Sequence, residues 1–388
     1  MKAARLLVVG LFAGGLLTTM ASAVDSTGQI PMIDMGPSDT FEGFGGGLYP
    51  NGLNYMVGRP LVDRVQAAMR ITPRNAAGQP ATPSAGGRIV LLSIGMSNTA
   101  QESTAFAGLL SSFSDRNPAL VFVNGAQGGQ TAADISNPNA NFWTVVNQRL
   151  QTLGVTPAQV QAVWFKEGNR NPTGPAAGEI ATLRGQFETI MQIIRSRYPN
   201  TEVVYASSRI YGGYAVGTLN PEPYAYANGF AVKQLIEDQI AGTDAGLQPG
   251  PGGVVPLVQW SAYLWADGLS PRSDGLIWER ADLEADGVHP APSGELKVAQ
   301  MLLESFSTDP SARMWFLHPE RRQLIGDLNG DRTISVGDIG AFVLAVTDPA
   351  GYASAFPTID VLQAGDLNFD GNVTVGDIGG FVQLLVNW

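Results

Sequence analysis

The sequence predicts an α/β fold: a three-layer α/β/α sandwich around a mainly parallel sheet, followed by a small all-α module. Three observations lead there. From residue 88 onward, short apolar runs alternate with longer stretches of helical periodicity. The apolar runs lack the in–out alternation of a half-exposed strand, so helices must cover both faces of the sheet. Near the C-terminus an acidic twelve-residue pattern occurs twice, 39 residues apart, which marks a separately built unit.

The elements follow in order. Residues 1–23 read as a signal peptide. Lys2 and Arg5 are the positive end, residues 6–17 are apolar, and Ala21-Ser22-Ala23 suits a signal peptidase. The apolar run is short for spanning a bilayer and no later run is long enough, so the expectation is a secreted chain without a membrane span. Residues 24–87 form a Gly/Pro-rich N-terminal extension wrapped on the main domain, with a helix over 61–69. The main domain covers 88–318. Its strands are expected at 89–94, 119–123, 160–165, 203–206 and 254–258, and its helices at 99–113, 142–153, 179–197, 222–240 and 293–306. Residues 245–253 read as a surface loop, and the second unit covers 324–388.

Composition excludes several classes. At 388 residues and 44% hydrophobic content the chain can build a real core. A net charge of −11 argues against nucleic acid as a partner. With no cysteine, a disulfide, a thiolate metal site and a Cys nucleophile are all ruled out.

The duplicated loops carry metal-binding chemistry. The first offers Asp327, Asn329, Asp331, Thr333, Ser335 and Asp338; the second offers Asp366, Asn368, Asp370, Asn372, Thr374 and Asp377. Side-chain oxygens stand at positions 1, 3, 5, 9 and 12, and position 7 can give its backbone carbonyl. This is the EF-hand-like spacing that seven-coordinate Ca²⁺ takes from a loop wrapped around it, so two Ca²⁺ sites are expected. Short apolar helices are expected after the loops, at 339–346 and 378–386. Residues 326–388 resemble a type I dockerin module, including its Asp at position 12. The resemblance implies calcium-dependent docking onto a cohesin-like domain of a scaffold or cell-surface protein. Position 6 is Arg332 in the first loop and Gly371 in the second. Gly tolerates the conformation needed there best, so the first site is expected to bind more weakly.

The catalytic candidates lie at the ends of successive strands. The chain has two histidines, His289 and His318. His289 follows Asp286 by three residues, and an Asp so placed can fold back, fix the imidazole tautomer and stabilise the imidazolium. Ser97, in Gly95-Met96-Ser97-Asn98, follows the 89–94 strand and precedes a helix. That setting exposes its hydroxyl beside backbone N–H groups, although a Ser there also suits a helix cap. The next strand ends in Gly128-Gly129, whose N–H can face a developing oxyanion. The third ends in Gly168-Asn169-Arg170-Asn171, where Asn169 and Asn171 both fit the role of an oxyanion donor.

Together these blocks, across residues 88–306, resemble the SGNH (GDSL-like) hydrolase superfamily. The Gly-x-Ser-Asn form is closer to its carbohydrate-esterase and sialate O-acetylesterase branch. The resemblance implies a flavodoxin-like sheet and ester hydrolysis. Ser97 would be nucleophile, His289 base and Asp286 its orienter, with Gly129 and Asn169 in the oxyanion hole. The implied substrate is an ester-bearing carbohydrate, with O-acetyl as the expected ester. The third block departs from the family's Gly-x-Asn-Asp. That departure supports a second expectation: a catalytically weak or inactive protein of this fold, acting as a glycan-binding or calcium-dependent assembly component.

Overall fold

The computed structural model describes residues 24–250 and 252–388; the expected leader at 1–23 lies outside them. Five strands form one parallel sheet: β1 (Ile89–Gly95), β2 (Leu120–Asn124), β3 (Val160–Lys166), β4 (Val203–Ala206) and β5 (Leu257–Trp260). Their order is β2-β1-β3-β4-β5. The register runs Ile89 opposite Leu120, Leu92 opposite Val163, Ala162 opposite Val203 and Val203 opposite Leu257. Every residue of β1, β3, β4 and β5 is buried, which is why these strands read as continuous apolar runs.

Helices alternate with the strands: α1 (Arg59–Met69), α2 (Ser97–Ser112), α3 (Asn141–Thr152), α4 (Ala176–Arg197), α5 (Tyr224–Ala241) and α6 (Pro292–Thr308). The chain moves one way across the sheet from β1 to β2 and the other way from β2 to β5. Right-handed crossovers therefore put α2 on one face and α3, α4 and α5 on the other. Helix α6 packs on α2, and α4 packs on α5. The direction reverses between β1 and β3, and such switch points open a crevice at the carboxyl ends of the strands. Trp143, Trp164, Trp265, Trp278 and Trp315 are fully buried in the core.

The segment before α1 lies along the domain surface. Asp267 accepts hydrogen bonds from the N–H groups of Thr27 (2.7 Å) and Gly28 (2.9 Å), and Trp260 Nε1 donates to the Leu48 carbonyl at 2.7 Å. At the other end, α7 (Asp338–Thr347) and α8 (Ile378–Asn387) follow the two acidic loops, with short helices at Pro349–Ala355 and Val361–Gly365 between them. Phe342 and Phe381 stack at 4.4 Å with their planes 7° apart, joining α7 to α8. Among the described residues no helix is long and apolar enough to cross a membrane.

Candidate active site

Two distant parts of the chain meet at the carboxyl edge of the sheet, one bringing Ser97 and the other Asp286 and His289. Ser97 Oγ lies 2.7 Å from His289 Nε2, and His289 Nδ1 lies 2.5 Å from Asp286 Oδ2. The second Asp286 oxygen accepts the backbone N–H groups of Val288 (2.9 Å) and His289 (3.0 Å), so the turn fixes both the carboxylate and the ring. Burial pushes the Asp286 carboxyl up, but the hydrogen bonds from the His289 ring and from these two amides outweigh it. The group is held below its ordinary value of 3.8 and stays ionised. Asn98 Nδ2 donates to the Val288 carbonyl at 2.8 Å, tying the serine turn to the histidine turn.

The serine turn is tightly seated. Thr99 Oγ1 donates to the Lys166 carbonyl at 2.7 Å. A Cβ at Gly95 would lie 2.2 Å from that same carbonyl, so only glycine lets β1 pass into α2 so close to β3. Ser97 is the first residue of α2, and no side chain caps the helix start. Its N–H is thus one of the orphan donors of the first turn, aimed along the positive end of the helix.

The loop after β2 faces this turn. A Cβ at Gly128 would lie 3.8 Å from Ser97 Cβ. Gln127 N–H donates to the Gly95 carbonyl at 2.9 Å, and Arg149 holds the carbonyls of Asn124 (3.0 Å) and Ala126 (2.6 Å). Gly129 has φ +75° and is exposed, and its carbonyl accepts Arg170 Nη2 at 2.9 Å. Arg170 was not singled out from the sequence; its neighbourhood to Gly129 arises only when the ends of β2 and β3 converge.

Asn169 takes a different place from the one expected. Its amide nitrogen donates to Glu179 Oε1 and Gln186 Oε1, each at 3.0 Å, and its oxygen accepts the Ala133 N–H at 3.2 Å. Both amide hydrogens are spent on α4, so the side chain has none for an oxyanion. With its amide oxygen and nitrogen exchanged, Asn171 would donate to the carbonyls of Thr218 and Arg170, both at 3.1 Å.

Beneath the serine lies a second feature the sequence reading did not assign. Glu102 on α2 and Lys166 at the end of β3 form an ion pair whose side chains are completely buried. Burial pulls the two toward their neutral forms, raising Glu102 and lowering Lys166 to about 8, while their mutual attraction works the other way. Arg209 and Tyr211 are both buried, as are Tyr226, Trp260, Tyr263 and Trp265. His318 stands apart, its N–H on the Asp115 carbonyl at 2.6 Å.

The two acidic loops share one backbone conformation. Position 4 is left-handed in each (Gly330 φ +76°, Phe369 φ +58°), and so is position 6 (Arg332 φ +69°, Gly371 φ +84°). Asp327 accepts the N–H groups of Gly330 and Arg332, and Asp366 those of Asp370 and Gly371. Asp338 and Asp377 each close their loop onto three N–H groups. Among the described residues no three His, Asp or Glu groups are gathered tightly enough to form a ready-made metal site. The donor chemistry nevertheless fits a hard cation. Asp327, Asp338, Asp366 and Asp377 are all buried, and among the described residues none has a basic partner within ion-pair distance. Next to the loops an apolar strip is exposed, and its two most open members, Val336 (79%) and Val375 (71%), hold the same position in each loop.

No family model matches the chain, and no curated protein does. Solved structures match loosely. A protein from Arabidopsis thaliana aligns with 53% of this chain and 67% of its own at 16% identity and a TM-score of 0.29. A gut microbial diltiazem-metabolizing enzyme aligns with 62% of this chain and 49% of its own, about half its length, at 16% identity and a TM-score of 0.34. LAE5, an α/β hydrolase enzyme from the metagenome of Lake Arreo, Spain, aligns with 58% of this chain and 96% of its own at 12% identity and a TM-score of 0.31. At these scores the site's own geometry carries the functional reading.

Proposed function

We propose that this protein is a secreted serine esterase of the SGNH type that removes ester-linked acyl groups, O-acetyl foremost, from carbohydrate. The observation that carries the reading is the Ser97–His289–Asp286 relay, with contacts of 2.7 and 2.5 Å between residues up to 192 apart in the chain. His289 Nε2 takes the Ser97 proton as Oγ attacks the ester carbonyl carbon. The N–H groups of Ser97 and Gly129 hold the resulting oxyanion. The bond from the carbonyl carbon to the alcohol oxygen then breaks, and the imidazolium returns its proton to the leaving alcohol. Water, activated by the same imidazole, cleaves the acyl-enzyme and frees the acid. Asp286 keeps the ring in one tautomer and balances the imidazolium charge.

The acidic loops are read as two Ca²⁺ sites, held by the twelve residues at positions 1, 3, 5, 7, 9 and 12 of the two loops. Bound calcium would neutralise the buried carboxylates and lock the fold of the module. The exposed valine strip beside them suits docking onto a cohesin-like domain.

A second reading, a protein of this fold with little or no turnover, draws on Asn169, whose amide hydrogens are committed to α4 and not to an oxyanion. A fluorophosphonate probe separates the two. The first reading expects one covalent adduct per chain, mapped to Ser97 and absent from Ser97→Ala. A wild-type chain that stays unlabelled under the same conditions favours the second.

A further inference from the structure

The second acidic loop is bound at three places to the rest of the chain, once to the main domain and twice to the N-terminal extension wrapped on it. Before it, the short helix Val361–Gly365 is held by Arg313, whose guanidinium donates to the Gln363 carbonyl at 2.7 Å and to its side-chain oxygen at 3.1 Å. Arg313 is itself buried. After it, Asn387 at the end of α8 accepts hydrogen bonds from two residues of α1, Arg59 at 2.5 Å and Gln66 at 2.7 Å. Within the loop, the Phe369 ring lies 5.3 Å from the ring of Tyr55, just ahead of α1.

Phe369 is the telling residue. It sits at position 4 with φ +58°, where the first loop has Gly330 at +76°. A bulky side chain is a genuine outlier in the left-handed region, and such strain persists only where the surroundings over-determine it. The surroundings here belong to the N-terminal extension and to the domain it wraps: the ring lines a cleft shared with Tyr49, Tyr55 and Leu61 of the extension and Trp260 of the main domain. The second loop keeps a costly residue because that residue anchors it to its neighbour.

We infer that the Phe369–Tyr55 contact couples calcium occupancy of the second loop to the stability of the main domain. This rests on the calcium reading above. The module is then a fixed mount and a calcium-dependent brace, not a tethered appendage. An ion that binds the folded loop but not the unfolded chain stabilises whatever unfolds together with that loop.

The test uses the chain from residue 24 onward, with calcium binding followed by titration calorimetry and unfolding by tryptophan fluorescence. Six of the seven tryptophans lie in the main domain, so the fluorescence transition reports that domain. The wild type is expected to bind calcium and to raise its transition by roughly 4 °C or more over the EGTA-treated protein. Tyr55→Ala and Phe369→Gly are both expected to bind calcium as well as the wild type, yet to lose at least half of that shift. Phe369→Gly also relieves the left-handed strain, so its calcium binding checks that the loop itself is intact. Calcium binding without a shift in the wild type, or a full shift in both variants, overturns the coupling and leaves the calcium reading standing. No binding by the wild type removes both.

Discussion

Ser97 opens α2 without capping it. The N-cap residue, Met96, gives its carbonyl to the Ala100 N–H but has no side-chain oxygen, and the serine hydroxyl turns to His289 instead of closing the first turn. The Asp286–His289 pair was legible in the sequence because it is local: three residues of separation suffice for the carboxylate to reach both the ring and its backbone N–H. Asn169 was not legible. Its direction is decided by Glu179 and Gln186, which α4 brings beside it, and nothing in the Gly-Asn-Arg-Asn stretch announces that. On the proposed mechanism, with Asn169 withdrawn, more of the oxyanion's stabilisation would fall to Gly129. Its φ of +75° suits glycine, and a side chain there disfavours the left-handed backbone by about 1–2 kcal/mol. Gly129→Ala should therefore misplace the N–H and lower kcat on a chromogenic ester by about 10²-fold, with KM little changed. Equal loss in kcat and gain in KM would assign the loop to substrate binding instead.

At the scale of elements, the parallel sheet was readable because strands buried on both faces leave an unbroken apolar signature. Boundaries were less so. The last strand was expected at 254–258 and lies at Leu257–Trp260, because Pro256 precedes its hydrogen-bonded part while Gln259 is buried within it. The short helices Pro349–Ala355 and Val361–Gly365 fill what looked like a spacer between the loops. The Glu102–Lys166 pair joins α2 to β3 under the serine, and its charges were hidden among residues that otherwise read as helix face and strand end. Removing one partner strands the other in the core. Lys166→Met is expected to cost about 3–5 kcal/mol in chemical denaturation, and Glu102→Leu with Lys166→Met together less than the sum of the two single changes. Additive losses would mean that the two charges do not act as a pair. In the first acidic loop, Arg332 holds a left-handed φ of +69°. Arg332→Gly should relieve about 1 kcal/mol and tighten calcium binding at that loop up to about fivefold, read by titration calorimetry. Unchanged affinity would mean that position 6 does not limit the site.

Across the whole molecule, the chain brings residues 97, 286 and 289 together near the point where the strand order reverses, the place where open α/β sheets bind ligands. The existence of a second, acidic unit was plain from its duplicated pattern. Its seating on α1 was not, because the contacts of Phe369, Gln363 and Asn387 join positions up to 328 residues apart and leave no local trace. The central claim is that Ser97 attacks an ester carbonyl. The measurement that tests it most directly is hydrolysis of a chromogenic acetyl ester by the calcium-loaded chain from residue 24, beside Ser97→Ala folded to the same transition temperature. The account predicts turnover by the wild type and a loss of at least about 10³-fold in the variant. Equal turnover by both would contradict it.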